Sequence, residues 1–396
     1  MNEISSYWII VAASVSIIIS YFFNIISKKT NIPSVLMLIL LGIIFKQLMH
    51  TLGLKNYDLF QFLEILGIIG IIMIVLEASL DLELKKEKST MIWKSFTIAF
   101  LALSISSLML SFIFQFFFQL DFFISMLYAL PLSIMSSAII IPSVSNLQND
   151  KKEFMIYEGT FSDILGIMVF YYFLGSVNAE SFGELSFNII GNLAATIGIS
   201  LVASYLLVYV FQNIKTEIKL FLLISVLVLL YSLGKLLHLS SLLIILVFGL
   251  VLENRNIFFV GILKKFLNEK AIQTTFSSFK LVTRESSFVV RTFFFFFFRV
   301  TISLSTLLNL KIFLISMLVL IIIFGIRYIL LRIFLGKNIS TLLWIAPRGL
   351  ITILLFFALP KEYRVAEFET GIILYVVIFS SILMAYSLVR YKRDQL

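Results

Sequence analysis

Cysteine is absent from this 396-residue sequence, and only two histidines are present. The absence of cysteine excludes a disulfide framework, a thiol nucleophile and a thiolate metal site. The two histidines, His50 and His238, lie near the ends of predicted helices, so a metal site built from several histidines is not expected. We therefore predict that the protein holds no cofactor.

Charged residues are also scarce. They make up 13% of the chain, against about 25% in soluble domains, while 60% of the residues are hydrophobic. Because this composition cannot supply a soluble surface, cytosolic enzymes, nucleic-acid-binding proteins and disordered proteins are excluded. We predict a polytopic protein in the lipid bilayer, whose net charge of +9 reflects Lys and Arg in cytoplasmic loops rather than nucleic-acid binding.

Long apolar runs fill most of the chain, and a helix needs about 20 apolar residues to cross about 30 Å of hydrocarbon. On that basis the sequence predicts an all-α fold with about thirteen membrane spans, at residues 7–27, 33–48, 60–83, 91–118, 122–145, 154–176, 185–212, 218–236, 239–253, 286–305, 309–335, 340–360 and 366–390. Residues 254–285 mix basic and apolar side chains, so we expect a loop with an amphipathic helix at the membrane surface there.

Basic residues occur mainly in one set of alternate loops. The set comprises Lys28, Lys29, Lys85, Lys86, Lys88, Lys151, Lys152, Lys215, Lys219, the basic residues of 254–285, Lys337, Arg390, Lys392 and Arg393. The positive-inside rule then places the N-terminus outside and the C-terminus in the cytoplasm. An odd number of spans also requires opposite ends. We expect a plasma (inner) membrane protein.

Two segments near the ends of the third and tenth spans resemble each other. Residues 76–82 and 298–304 each place a charge in an apolar run, with a hydroxyl two residues later. Since seven spans separate them, the copies would run in opposite directions, as in the inverted repeats of transporters. Within the first copy, Glu77 and Asp81 either extend to the membrane interface or line a cytoplasmic funnel.

Two predicted spans contain helix-breaking residues. Pro131 and Pro142 bracket a serine-rich stretch in the fifth span, and Pro347-Arg348-Gly349 lies near the centre of the twelfth. Proline removes a backbone donor and clashes with the preceding turn, so it kinks or breaks a helix. Breaks at the membrane midplane expose carbonyls and helix ends to a ligand. Ser136 and Ser137 could offer oxygens to a hard cation there.

Acidic residues mark the sixth span. Asp163 lies near the centre of the membrane, where a charge is unfavourable by about 3 kcal/mol and usually marks an ion or proton pathway. Glu158 lies closer to the cytoplasm, and Ser162 shares its helix face. Gly159 lies one turn beneath Asp163 and is expected to leave space beside the carboxylate.

Two arginines in the second half lie at membrane depth. Arg348 is at the predicted break of the twelfth span, and Arg327 lies in the eleventh span at a depth comparable with Glu158. An arginine so deep must pair with an acid or face water. Glu158 is the acid predicted at the same membrane depth as Arg327, so we expect these two residues to form an ion pair.

Taken together, these motifs resemble the monovalent cation–proton antiporters, which include the sodium/proton exchangers. The segment 158–163 is similar to the family's Glu-Ser-x-x-Asn-Asp signature, and Ser136-Ser137-Ala138 resembles the unwound helix that precedes it. Arg327 matches an arginine after an apolar run, Pro347-Arg348-Gly349-Leu350 resembles the Arg-Gly signature, and 76–80 resembles the third-span motif.

The resemblance implies an inverted six-plus-six repeat with two broken crossing helices, and a homodimer. The corresponding division is a first repeat at 1–183, a linker helix at 184–212, a second repeat at 213–390 and a cytoplasmic tail at 391–396. It further implies that Asp163 binds cation and proton in turn, with Ser136 and Glu158 as further candidate Na⁺ ligands. Ser137 and Ser162 complete the expected ion and proton site, while Arg327 and Arg348 are supporting charges.

The chain departs from the family pattern at three places. Ser162 stands where relatives carry Asn, Asp or Gln, and the absence of a second carboxylate there favours electroneutral one-for-one exchange. Gly159 replaces a serine, and Ser136-Ser137 replaces part of a Thr-Asp-Pro motif.

Several functions remain open at this stage. A Na⁺/H⁺ antiporter that also accepts Li⁺ is favoured, with a K⁺/H⁺ antiporter as the alternative at the same site. An intramembrane lipid-modifying enzyme would need His or Asp clusters in sizeable loops, and a cation channel would need a filter-like loop. An organic-anion symporter would need a roomier polar pocket than the deep Asp163 indicates.

Overall fold

A computed structural model describes residues 6–30, 32–51, 60–176, 182–213, 219–236, 241–261, 264, 269–301, 309–336, 339–365, 368 and 370–393. These residues form helices and no β-strand. The helices are α1 (Ser6–Thr30), α2 (Ser34–Thr51), α3 (Phe60–Asp81), α4 (Ser89–Phe118), α5 (Phe122–Ser133), α6 (Ser137–Ser143), α7 (Asn149–Ser176), α8 (Phe182–Asn213), α9 (Lys219–Leu236), α10 (Ser241–Glu253), α11 (Arg255–Phe258), α12 (Glu269–Thr301), α13 (Leu310–Leu335), α14 (Ser340–Trp344), α15 (Leu350–Phe357) and α16 (Gly371–Arg393).

The predicted all-α fold with thirteen spans is confirmed when α5 with α6, and α14 with α15, are each counted as one broken span and the single turn α11 is set aside. Five helical stretches in the described part of the chain are long and apolar enough to cross a membrane: Lys86–Phe118, Phe122–Ser143, Asn149–Gly175, Leu310–Leu335 and Gly371–Arg393. Shorter apolar helices are also present; one of them, Ser241–Glu253 (α10), packs mainly against α3, α8 and α9.

One predicted boundary is wrong. The tenth span was expected to begin at residue 286 after a surface loop, but α12 is continuous from Glu269 to Thr301. Two of the basic residues that suggested a membrane-surface helix pair with acids of the protein: Lys280 contacts Glu253 at 3.1 Å, and Arg284 contacts Asp81 at 2.6 Å. The charged face of this helix therefore packs partly inside the protein.

The helices form two bundles. In the first, which we call the site bundle, α4 packs against α5, α7 and α13, and α16 packs against α13 and α14. In the second, the flanking bundle, α3 packs against α10 and α12, and α1, α2, α8 and α9 pack around them. Contacts between the bundles are fewer and involve mainly α3, α6, α7 and α15.

In each half of the chain, the fifth span is the broken one, in the arrangement that an inverted six-plus-six repeat predicts. The division into repeats stays a prediction; the residues assigned to the linker, 184–212, lie in α8. The second copy of the short sequence repeat, 298–304, extends beyond the described residues.

The two breaks cross each other inside the site bundle. After α5 the chain is extended from Ile134 to Ser136, and the amide of Ser136 donates a hydrogen bond to the carbonyl of Pro347 at 2.9 Å. A Cβ atom added at Gly349 would lie 2.6 Å from Ser136 Oγ, so only glycine allows the breaks to approach this closely. The prolines and Gly349 thus determine where the unwound segments meet.

Candidate functional site

Asp163 lies in the middle of α7 and is 1% exposed. Its Oδ2 atom accepts hydrogen bonds from the backbone amide of Ser137, at 2.9 Å, and from the hydroxyl of Ser137. Ser137 is the first residue of α6, where backbone amides lack partners within the helix. The break in the fifth span therefore supplies the donors that hold this carboxylate.

Two oxygens at the break have no hydrogen-bond partner in the described part of the chain. They are Asp163 Oδ1 and Ser136 Oγ, and both are buried. A buried polar group without a partner is unfavourable by about 1–3 kcal/mol and requires an explanation. Carboxylate and hydroxyl oxygens are hard ligands, which suit alkali and alkaline-earth cations rather than soft metals.

Ser162 and Ser137 use their hydroxyls to support the break. Ser162 Oγ accepts a hydrogen bond from the amide of Met135 at 2.9 Å, within the extended segment. Gly159 does not leave the expected space beside the carboxylate, because a Cβ there would lie 3.0 Å from Ile140 and 3.4 Å from Ser137 Cα. The glycine instead allows α6 to pack against α7.

Glu158 and Arg327 form a buried ion pair between α7 and α13, as depth in the sequence predicted. Arg327 Nη2 lies 2.9 Å from Glu158 Oε2, Arg327 Nη1 contacts the other oxygen, and the residues are 1% and 4% exposed. The same guanidinium donates to the carbonyls of Leu342 at 2.9 Å and Leu343 at 3.1 Å, near the end of α14. Both oxygens of the Glu158 carboxylate thus contact Arg327, and the role of Glu158 as a Na⁺ ligand stays a prediction.

Arg348 connects the two broken spans. Its guanidinium donates to the carbonyls of Leu132 at 2.9 Å, Ser133 at 3.2 Å and Ala346 at 2.7 Å. The first two carbonyls lie at the end of α5 and the third follows α14, where helical carbonyls lack partners. Its own amide donates to Ser380 Oγ at 2.9 Å. Sequence reasoning placed Arg348 at the break but did not identify these carbonyl contacts.

A cavity of about 340 Å³ lies beside the break, lined by residues of α1, α3, α6 and α12. Ser137 of α6, which donates to Asp163, is one of its lining residues. Glu77 and Asp81 both line this cavity. Of the two alternatives for these acids, lining a funnel therefore fits the structure better than extension to the membrane interface.

Within the described residues, no three His, Cys, Asp or Glu side chains are grouped as a metal centre would require. The structure brings Ser136, Ser137, Ser162 and Asp163 together at the break and pairs Glu158 with Arg327; their roles in ion binding stay a prediction. Sequence reasoning did not identify Arg291 as the partner of Glu77, because it lies 214 residues away on α12.

Comparison with known proteins gives one family and one fold. The family model described as "Sodium/hydrogen exchanger, transmembrane" matches residues 13–391. A structure of the sodium proton antiporter MjNhaP1 from Methanocaldococcus jannaschii at pH 8 is similar, with 20% identity, a TM-score of 0.69 and coverage of 96% of this chain and 95% of that one. A second MjNhaP1 structure, from electron microscopy, has 17% identity, a TM-score of 0.69 and coverage of 99% and 96%. Among curated proteins, none matches the chain.

Proposed function

The chain belongs to the sodium/hydrogen exchanger family, and from this premise we propose that it is a secondary active antiporter that exchanges a monovalent cation for protons. The family consists of transporters, so the chain is a multi-pass membrane protein and not an enzyme. The observation that carries the proposal is Asp163, a buried carboxylate with one oxygen held by Ser137 and the other without a partner.

Exchange follows from competition at that carboxylate. A proton on Asp163 and a cation at Asp163 Oδ1 exclude each other, because both neutralise the same charge. Ser136 Oγ, which also lacks a hydrogen-bond partner among the described residues, is a second candidate ligand, and Glu158 is a third. Ser137 and Ser162 position the site through their hydrogen bonds, while Arg327 and Arg348 hold the helix ends around it.

Alternating access requires that the site face one side at a time. The site bundle holds Asp163 and both breaks, and it touches the flanking bundle through few helices. We propose that it moves against the flanking bundle only when Asp163 is neutralised by a proton or a cation. A charged carboxylate would have to cross the apolar contact unpaired, which is unfavourable, and this requirement suppresses leak.

The transported ion is proposed to be Na⁺, with Li⁺ accepted, and the stoichiometry one cation per proton. Hard oxygen ligands suit both ions. Ser162 provides no second carboxylate beside Asp163, which supports electroneutral exchange. K⁺ is the alternative ion at the same site. We further propose a homodimer in the plasma membrane, with the N-terminus outside and the cavity open to the cytoplasm.

Proteoliposomes with imposed ion and pH gradients test the proposal. Na⁺ and Li⁺ should drive proton movement, and choline should not. Asp163→Asn should abolish cation-driven proton flux and proton-driven cation flux, whereas Asp150→Asn, at an exposed position in the first turn of α7, should leave both intact. Flux driven by K⁺ alone would select the alternative ion. A folded wild-type protein without cation-dependent proton flux would refute the antiport function.

A further inference from the structure

The cavity beside the break has a charged wall whose parts are not used in the exchange mechanism. Three carboxylates and two guanidinium groups line it, which gives a formal net charge of −1; they are Glu77, Asp81, Glu285, Arg284 and Arg291. Ser137, which holds Asp163, lines the same cavity, so a cation that reaches Asp163 through it comes close to these groups. The balance of charge along the wall therefore acts on every cation that approaches.

Glu77 and Arg291 form the best-defined pair in this wall. Arg291 Nη1 lies 3.0 Å from Glu77 Oε2, and Arg291 Nη2 lies 3.3 Å from Glu77 Oε1. This bidentate geometry fixes the guanidinium in one orientation. The side chains are 14% and 19% exposed, so they are mostly buried but still face the cavity.

The pair joins α3 to α12 within the flanking bundle and does not cross between the bundles. Nearer the end of α3, Asp81 contacts both Arg284, at 2.6 Å, and Lys280, at 3.4 Å. Asp81 therefore keeps a basic partner if one is removed, whereas Glu77 and Arg291 have no other ion-pair partner among the described residues. Loss of the charge of either Glu77 or Arg291 therefore changes the net charge of the cavity wall by one unit.

We infer that the Glu77–Arg291 pair determines the apparent affinity for the cation on the side to which the cavity opens. Arg291 neutralises Glu77, so that the cation is neither retained in the wall nor repelled from it. The inference rests on the proposed cation site at Asp163 and adds residues that do not touch the ion. Stability alone does not explain the pair, since a partly buried ion pair is often no more stabilising than apolar residues of similar size.

The inference predicts opposite effects of the two single substitutions. Glu77→Gln leaves Arg291 unbalanced beside the route, so the apparent KM for the cation should rise. Arg291→Gln leaves Glu77 unbalanced, so the apparent KM should fall. For a unit charge on the order of 10 Å from the cation in a partly hydrated cavity, we expect the apparent KM to change by about three- to tenfold in each direction. The double variant should return close to the wild-type value.

Two further variants control for structure and for net charge. Arg291→Lys keeps the charge but loses the bidentate geometry, so its KM should stay near wild type even if the protein is less stable. Lys88→Gln changes the net charge of the protein as much as Arg291→Gln does. Lys88 pairs with Glu153 and does not line the cavity, so its substitution should leave the KM unchanged.

The experiment measures initial cation flux in proteoliposomes of known orientation, with the cation added to one side at a time. Only the KM from the side to which the cavity opens should move, because Glu77 and Arg291 line that cavity. The same variants are titrated with Na⁺ in detergent, where binding is followed by the rise in Tm. This second readout requires no transport and separates failure of the inference from failure of the antiport function.

Four outcomes would overturn the inference. The first is a shift of the apparent KM and of the Na⁺ titration midpoint in the same direction for both single variants. The second is no shift in any folded variant, and the third is equal shifts from both sides of the membrane. A double variant that repeats the effect of one single substitution would show that the charges do not act as a balanced pair.

Discussion

The Glu158–Arg327 pair provides a sharp test of how the site bundle is held together. Both side chains are buried, and the guanidinium contacts both carboxylate oxygens. Replacing Arg327 with Gln removes the only ion-pair partner of Glu158 in the described residues and also weakens the contacts to Leu342 and Leu343. Replacing Glu158 with Gln leaves Arg327 hydrogen-bonded to those carbonyls. The neutral side-chain amide that replaces the carboxylate can still accept a hydrogen bond from the guanidinium through its oxygen.

The magnitudes follow from this asymmetry. Stranding one charge of a buried pair is unfavourable by about 3–5 kcal/mol, so Arg327→Gln should destabilise the protein by about this amount. Glu158→Gln should destabilise it less. The double variant strands no charge, and it should be more stable than Arg327→Gln alone. A coupling energy of at least about 1–2 kcal/mol should therefore separate the double variant from the sum of the single ones.

Thermal unfolding in detergent measures this cycle. The exposed pair Lys88–Glu153, whose side chains are both 32% exposed, is the matched control and should contribute only about 0–1 kcal/mol. Losses that add across Glu158 and Arg327 would show that the two residues do not stabilise each other. Stability is the appropriate readout, since activity need not return in the double variant.

Four further predictions concern the site. Asp163→Asn should fold with a Tm close to wild type, because the amide oxygen can still accept from the start of α6, and should show no exchange in either direction; a wild-type rate would refute the site. Exchange should not respond to a clamped membrane potential, since Ser162 adds no second charge, and a rate that follows the potential would contradict this. Ser136→Ala should raise the KM for the cation with little change in Tm, measured by flux and by thermal unfolding. Gly349→Ala should lower stability by about 1–3 kcal/mol through overpacking, whereas Gly325→Ala, where a Cβ would meet nothing within 4 Å, should not.

The positions of the spans and of the two breaks could be predicted from the sequence because membrane burial leaves strong local signals. Apolar runs of sufficient length define spans. Pro131 and Pro142 lie inside α5 and α6, on either side of the first break, and Pro347 lies in the second break, so the prolines indicate which spans are interrupted. Asp163 was predictable for a similar reason, because a carboxylate at that depth is unfavourable without a function.

Interactions between distant segments were harder to predict. The prediction of a surface helix at 254–285 used the charges of this segment without knowing that Lys280 pairs with Glu253 and Asp81 inside the protein. Gly159 was expected to leave space beside Asp163, and nothing in the local sequence indicated that α6 would pack into that space. In both cases the local pattern was correct, but the packing partner lay in another part of the chain.

The arrangement of Arg348 has a consequence for synthesis of the protein. Its guanidinium reaches back to the carbonyls of Leu132 and Ser133, more than 200 residues earlier, and Ser136 bonds to Pro347. Because the chain is synthesised from its N-terminus, the first break and Asp163 enter the membrane long before Pro347 and Arg348 have been synthesised. Until residue 348 has been inserted, the carbonyls at the end of α5 lack this donor in a medium that offers no water. The ion site is thus one of the last parts of the molecule to mature, and chains truncated before Pro347 should be recognised by quality-control proteases.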